Sequence, residues 1–213
     1  MSETHDSDAS LSDEVYKAML RDILATRLPG GHPVQQRRLA EHYQVSRSPM
    51  RHAISRLEGE GLLIRNGKAG LVVRIVTLKD YLDSLTMREL LEPQAASLAA
   101  VNSDNDALGA LRSDFAALCE DAAPDPETVW AFDHALHGYI AARSGNPFMN
   151  SVIGEMRRYT TIFERQLPVV RAKPGMQEHG EVLEALENRD ADTARDAMNR
   201  HLRVVREGVM RNY

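Results

Sequence analysis

The feature that most constrains the fold is the helical periodicity of the chain from Leu78 onward. Apolar residues recur there every three or four positions, and no segment alternates as a strand would. Turn residues interrupt this pattern at Asn102-Ser103-Asp104, Ala123-Pro124-Asp125, Ser144-Gly145-Asn146-Pro147 and Lys173-Pro174-Gly175. The predicted helices span residues 78–101, 105–121, 126–144, 147–167, 174–188 and 190–210. Antiparallel helices of this length form a bundle, which can build a site in its interior from several helices.

The first 76 residues combine helices with a hairpin. Residues 1–10 are polar and expected to be frayed, and a helix is predicted from Leu11 to about Thr26. A second helix is predicted over residues 34–43, and a third begins after Ser46 or Ser48 and ends at Gly61. Short strands over residues 62–65 and 71–76 flank a glycine-containing turn. The chain is therefore predicted to be mainly α, with an N-terminal winged helix-turn-helix (residues 9–76) before an antiparallel α-helical bundle (residues 78–213).

The charge of the chain is distributed unevenly. The net charge is -5, but eight basic and three acidic side chains lie between Val34 and Arg74, a local net of +5. A basic module attached to an acidic body is typical of a protein that contacts phosphate with one part only. The single cysteine, Cys119, excludes an intrachain disulfide and favours a reducing compartment. Since no segment resembles a membrane span or a signal peptide, we expect a cytoplasmic protein.

The basic module contains two short helices around a tight turn, between Arg37 and Arg51. The second of these helices would enter the major groove of DNA. Arg47 and Arg51 are four residues apart near its start and therefore share one face, from which they could reach base edges or phosphates. The alternative for any single arginine is an ordinary solvent-exposed charge with no DNA contact. Because the arginines cluster at one helix end, this alternative explains them less well.

The module resembles the GntR family of bacterial regulators. The resemblance covers about residues 11–76 and rests on Leu39-Ala40-Glu41, Val45-Ser46-Arg47, Ser48-Pro49-Met50-Arg51, Leu57-Glu58 and Gly61-Leu62. Met50 replaces the usual valine, which changes packing only. The resemblance implies that Arg37, Arg47, Ser48 and Arg51 contact DNA and that Asn66 and Gly67, at the tip of the wing, enter the minor groove.

Four polar residues of the helical half fall on apolar stripes. Asp133 and His137 share a helix face with Trp130 and Ile140, and the stripes of His179 and His201 contain leucine, methionine and valine. A buried carboxylate and three imidazoles are costly unless paired, and one divalent metal ion would satisfy them together. A hydrogen-bonded place in the core explains any single histidine better, whereas the set favours a metal.

The helical half resembles the FCD domain, the C-terminal domain of FadR-type regulators. That family carries an Asp-x-x-x-His motif, a Ser-Gly-Asn sequence and two later histidines, and Asp133, His137, His179 and His201 fall on those positions in order. Leu136 replaces the usual phenylalanine, and His134 has no counterpart and is predicted to be exposed. The resemblance implies a divalent ion at these four residues, with zinc, nickel and manganese all suitable.

A six-coordinate ion with these four ligands would keep open positions, which a small carboxylate effector could fill. Arg88 matches an arginine that the family carries on the first bundle helix. It could bind this carboxylate, and a core salt bridge to Glu92 explains it equally well. Arg157, Arg158 and Arg165 are weaker candidates for which surface charge is expected.

The sequence thus predicts a homodimeric transcription repressor that binds a palindromic double-stranded DNA operator under control of a small carboxylate. A metal-dependent enzyme that uses the Asp/His set is the alternative. It leaves the basic module unused, and no nucleophile motif accompanies the set. A purely structural metal is a third possibility, and metal removal distinguishes the three.

Overall fold

A computed structural model describes residues 3–166 and 175–211 of the chain. Within the described part, residues up to Leu78, together with Thr161–Gln166, form one compact unit, and Lys79–Thr160 with the residues from Gly175 onward form a second. The predicted helix ends at residues 167 and 174 lie outside the described residues. No helix within the described ranges is long and apolar enough to cross a membrane.

The first unit contains three helices and a two-stranded sheet. The helices are α1 (Glu3–Leu24), α2 (Gln36–His42) and α3 (Arg47–Gly59), and the strands are β1 (Leu63–Arg65) and β2 (Leu71–Val73). The expectation of a frayed start up to Ser10 is wrong, because α1 already begins at Glu3. No glycine or proline separates these polar residues from the buried part of α1, so the helix extends through them.

The core of the first unit lies between α1 and α3. Val15, Met19 and Ile23 of α1 and Met50 and Leu57 of α3 are buried, and the two helices pack on each other. At one end of this contact the Tyr16 hydroxyl donates to Glu60 at 2.8 Å, and the Arg56 guanidinium stacks 3.5 Å from the centre of the Tyr16 ring.

The two strands form the predicted hairpin in a shorter version. They pair antiparallel with Ile64 opposite Val72, and β2 ends at Val73 rather than at Val76. The connecting turn contains Gly67 and Gly70 with φ of 43° and 76°, a region that favours glycine. The outer edge of β2 is also covered, because the Val73 amide donates to the His32 carbonyl and the Val73 carbonyl accepts from the Gly31 amide.

The second unit is the predicted helical bundle. Its helices are α4 (Leu78–Val101), α5 (Asn105–Glu120), α6 (Pro126–Arg143), α7 (Pro147–Arg165), α8 (Met176–Glu187) and α9 (Ala191–Met210). Of these helices, Leu78 and the α7 residues from Thr161 onward belong to the first unit. Aspartates cap three of them: the carboxylates of Asp104, Asp125 and Asp190 accept from backbone amides in the first turns of α5, α6 and α9.

The Ser-Gly-Asn sequence builds the turn between α6 and α7. The buried Ser144 hydroxyl donates to the Ala141 carbonyl, and Gly145 adopts a φ of 71°. The Asn146 side chain then accepts from the amides of Phe148 and Met149, which caps α7. This turn sets the direction in which α7 returns past α6, and it thereby fixes which residues of the two helices can meet.

Candidate DNA-reading helix and metal centre

The helix-turn-helix consists of α2, a tight turn and α3. Gln44 takes a φ of 56° in the turn, and the Val45 amide donates to the Ala40 carbonyl at 2.9 Å. The Gln36 side chain donates to the Arg47 carbonyl at 2.8 Å, which ties α2 to the first residue of α3. Ser46 is the N-cap residue of α3. The turn is therefore bonded to α2 through Val45, and the start of α3 is bonded to α2 through Gln36.

The predicted DNA contacts lie on the exposed side of this element. Arg47, Ser48 and Arg51 are exposed, whereas Met50, Ala53 and Leu57 on the opposite face of α3 are buried. Arg37 is exposed on α2, 3.9 Å from Glu41, and Asn66 and Gly67 are exposed in the turn of the hairpin. One face of α3 is thus committed to the core, and the basic face is available to a partner.

In the second unit, the structure brings Asp133, His137, His179 and His201 together from α6, α8 and α9. One potential ligand atom from each lies within 4.8 Å of the others. Nitrogen ligands on opposite sides of an ion lie about 4.2 Å apart, given bonds of about 2.1 Å. The arrangement is therefore close to the spacing that a single ion requires.

The three histidines are buried and poorly satisfied. They are 1–2 % exposed, and the described structure gives no hydrogen-bond partner to His137 Nε2, His201 Nδ1 or either ring nitrogen of His179. Asp133 Oδ1 lies 3.5 Å from His179 Nε2 and 3.7 Å from His137 Nε2, and neither contact is a hydrogen bond. Buried polar atoms are nearly always paired, so this cluster of unpaired lone pairs fits a metal ion.

A second layer of charged groups surrounds the cluster. Glu92 Oε2 accepts from His137 Nδ1 at 2.6 Å, and Arg88 Nε donates to the other oxygen of Glu92 at 2.6 Å. Arg88 also donates to the Thr160 hydroxyl at 2.9 Å. Of the two possibilities that the sequence left for Arg88, the structure shows the core ion pair with Glu92. An effector contact by Arg88 stays a prediction.

Arg157 belongs to the same layer, and the expectation that it is a surface charge is wrong. It is 6 % exposed, and its guanidinium donates to Asp133 Oδ2 at 2.6 Å and to the Asp133 carbonyl at 3.2 Å. Sequence periodicity places Arg157 on α7 but gives no sign that α7 passes Asp133 of α6. His134, by contrast, is exposed as expected.

Burial and these charges set the protonation states of the cluster. Burial lowers the pKa of all three histidines, and it lowers the pKa of His179 to about 3. Burial acts to raise the pKa of Asp133, but Arg157 and the histidines outweigh it and hold that pKa well below its ordinary value. The cluster therefore presents neutral imidazoles and an ionised carboxylate, which are the forms that bind metal.

Gly175, at the start of α8, lies against the cluster. Its φ is 66°, and a Cβ atom there would lie 2.8 Å from His201 Cε1. Sequence reasoning treated this glycine as turn punctuation only. The structure adds that its missing side chain makes room for a His201 ring.

Comparisons with known proteins agree with this architecture. Residues 83–204 match the FCD domain, and residues 11–73 match the bacterial regulatory proteins of the gntR family. The chain is a gntR-family transcriptional regulator with an FCD domain. The winged helix-turn-helix of this regulator indicates double-stranded DNA as its partner.

Two curated relatives and one solved structure illustrate the similarity. A probable D-xylose utilization operon transcriptional repressor of Paenarthrobacter nicotinovorans is 26% identical over 198 residues, which cover 91% of this chain and 86% of the relative. The HTH-type transcriptional repressor RspR of Escherichia coli is 21% identical over 93% of this chain and 89% of its own length. The structure of E. coli McbR/YncC superposes with a TM-score of 0.80 at 20% identity, covering 95% of this chain and 98% of that one, and shares the fold. The enzyme alternative finds no support in these relatives.

Proposed function

We propose that this regulator is a homodimeric repressor whose affinity for its operator depends on a small carboxylate bound at a divalent ion. Asp133, His137, His179 and His201 would hold the ion. The observation that carries the proposal is the set of unpaired imidazole nitrogens beside Asp133, buried in a chain that also carries an exposed basic recognition helix. Both relatives described above are named as repressors, which supports the direction of control.

The charge of the site supports an anionic effector. Arg88 is paired with Glu92 and Arg157 with Asp133, so these four charges cancel, and neutral histidines add none. A divalent ion would add two positive charges to a largely buried site, where uncompensated charge is costly. A carboxylate on an open position of the ion would offset that charge. Arg88 already binds Glu92 and Thr160, so a direct contact with the effector would require a change in this pairing.

The proposal is tested with DNA and metal in the same assay. Operator sequences are first selected from a random double-stranded library with the full chain, and we expect a palindrome, because a two-fold dimer presents two recognition helices. Fluorescence anisotropy then measures operator affinity for chelator-stripped and zinc-loaded protein across a panel of small mono-, di- and tricarboxylates.

We expect at least one carboxylate to change the operator Kd of the zinc-loaded protein and to have no effect on the stripped protein. His201→Ala should behave as stripped protein in both conditions. If the stripped and loaded proteins bind the operator equally well with every acid, the metal has no sensory role, and a structural role remains if stripping lowers the melting temperature instead.

A further inference from the structure

We propose that Glu92, braced by Arg88, is the positioning residue of the metal centre: it holds His137 in the tautomer that presents the Nε2 lone pair to the ion. This inference rests on the proposed function, since it concerns the same centre. It assigns a role to a carboxylate that does not itself belong to the ligand set, 45 residues before the histidine that it binds.

The geometry at His137 leaves one place for its proton. A neutral imidazole carries a single N–H, which can sit on either nitrogen. Nδ1 lies 2.6 Å from Glu92 Oε2, whereas Nε2 has no hydrogen-bond partner and lies 3.7 Å from the nearest oxygen of Asp133. The proton therefore belongs on Nδ1, donated to Glu92. The bare lone pair of Nε2 is then left for the ion, on the side of the ring where Asp133 Oδ1 lies 3.7 Å away.

Glu92 is itself held in place. Arg88 Nε binds Oε1 at 2.6 Å, and a second guanidinium nitrogen approaches Oε2 at 3.4 Å. Because Arg88 precedes Glu92 by four residues on α4, the pair lies along one helix face, and the bond from Arg88 to Thr160 anchors it to α7. The Glu92 carboxylate is 2 % exposed, so water does not compete for His137.

His179 lacks such a partner. Neither of its ring nitrogens has a hydrogen bond within the described structure, so no hydrogen bond there fixes its tautomer before metal binds. Carboxylates that accept from the second nitrogen of a metal-binding histidine orient the ring and raise its basicity, and their loss typically weakens metal binding about 10- to 100-fold. We therefore expect His137 to be better preorganised for metal binding than His179.

The first experiment observes the tautomer directly on metal-free protein. Long-range ¹H–¹⁵N correlation spectra of imidazole-labelled wild-type chain, with the His137→Gln variant used for assignment, report which nitrogen carries the proton. We expect Nδ1–H at His137. A proton on Nε2 would overturn the inference, whatever the protein does with metal. Because the wild type is measured, this result does not depend on the folding of a variant.

The second experiment measures the affinity for zinc by competition with a chromophoric chelator. Glu92→Gln should weaken zinc binding about 10- to 100-fold and shift or split the His137 imidazole signals of the metal-free protein. Glu89→Gln is the matched control: it lies on the same helix and breaks an ion pair with Arg206 at 2.7 Å, and neither residue belongs to the ligand set. Its zinc affinity should equal that of wild type.

The outcomes separate the two proposals. If wild-type protein takes up no zinc, nickel or manganese, the metal centre of the proposed function is wrong. If wild type binds zinc and folded Glu92→Gln binds it equally tightly, Glu92 is a structural residue and the inference is wrong. A purely structural role would lower the melting temperature of Glu92→Gln but leave its zinc Kd and the His137 tautomer unchanged.

Discussion

Lowering the pH should reduce the free energy of unfolding of the metal-free protein. The contribution of His179 gives a lower limit for this reduction. In the unfolded chain a histidine binds a proton near pH 6.5, whereas burial lowers the pKa of His179 in the folded chain to about 3. Between these values the unfolded state binds more protons, so the free energy of unfolding is highest above pH 6.5 and falls as the pH drops toward 3. The slope approaches about 1.4 kcal/mol per pH unit for this one group.

Between pH 7.5 and pH 5, His179 alone should remove about 2 kcal/mol from the free energy of unfolding. His137 and His201 have lowered pKa values as well and act in the same direction, so the wild-type loss should exceed this amount. Asp133 and Glu92 also have lowered pKa values, but their windows lie below their ordinary carboxyl pKa and therefore below this range. The effect between pH 7.5 and 5 is thus a histidine effect.

Urea unfolding of chelator-treated protein measures this loss. Trp130 is the only tryptophan and lies on α6, three residues before Asp133, so its fluorescence follows the helical unit. His179→Gln should lose about 2 kcal/mol of the pH dependence, while His52→Gln, which removes an exposed histidine of the first unit, should retain all of it. Equal pH dependence in wild type and His179→Gln would refute the reasoning.

Three further predictions concern the DNA-reading helix, the glycine beside the cluster and the assembly. Arg51→Ala should weaken operator binding by about 1–3 kcal/mol without lowering the melting temperature, and wild-type affinity in a gel-shift titration at fixed salt would show that the reading face is elsewhere. Gly175→Ala should displace His201 and lower zinc affinity, since the new Cβ would lie 2.8 Å from that ring. In the control Gly109→Ala the new Cβ meets no atom within 4 Å, so zinc binding should be unchanged. Equal zinc Kd values for the two variants would contradict this prediction. Light scattering at micromolar concentration should give the mass of two chains, and a single-chain mass with and without operator would exclude the dimer.

Local sequence signals predicted the helices well. The turn sequences after Val101, Glu120 and Arg143 end α4, α5 and α6 close to the predicted positions, because aspartate, glycine and proline act on the backbone within a few residues. The start of α1 was mispredicted because such signals act only within a few residues. Polar composition alone cannot show that a helix anchored by buried residues further along continues back through Glu3–Ser10.

The side-chain contacts of the site fall into two groups: those within one helix, which the sequence predicts, and those between helices, which it does not. Helical spacing placed Asp133 and His137 on one inward stripe, and it placed Arg88 four residues before Glu92. The contact between Glu92 and His137, and the contact between Arg157 and Asp133, join different helices, and no periodicity within one helix reports them. The burial of Arg157 was therefore mispredicted.

By itself the sequence determined the class of elements, the motifs of both domains and the chemistry of the candidate ligands, because residue type and spacing act locally. Only the tertiary structure decided which nitrogen of His137 meets a carboxylate, that Arg157 is buried against Asp133, and that Gly175 leaves room for His201. Those facts depend on how α4, α6, α7, α8 and α9 pack, and packing is fixed by the fit of whole helix faces rather than by any single segment.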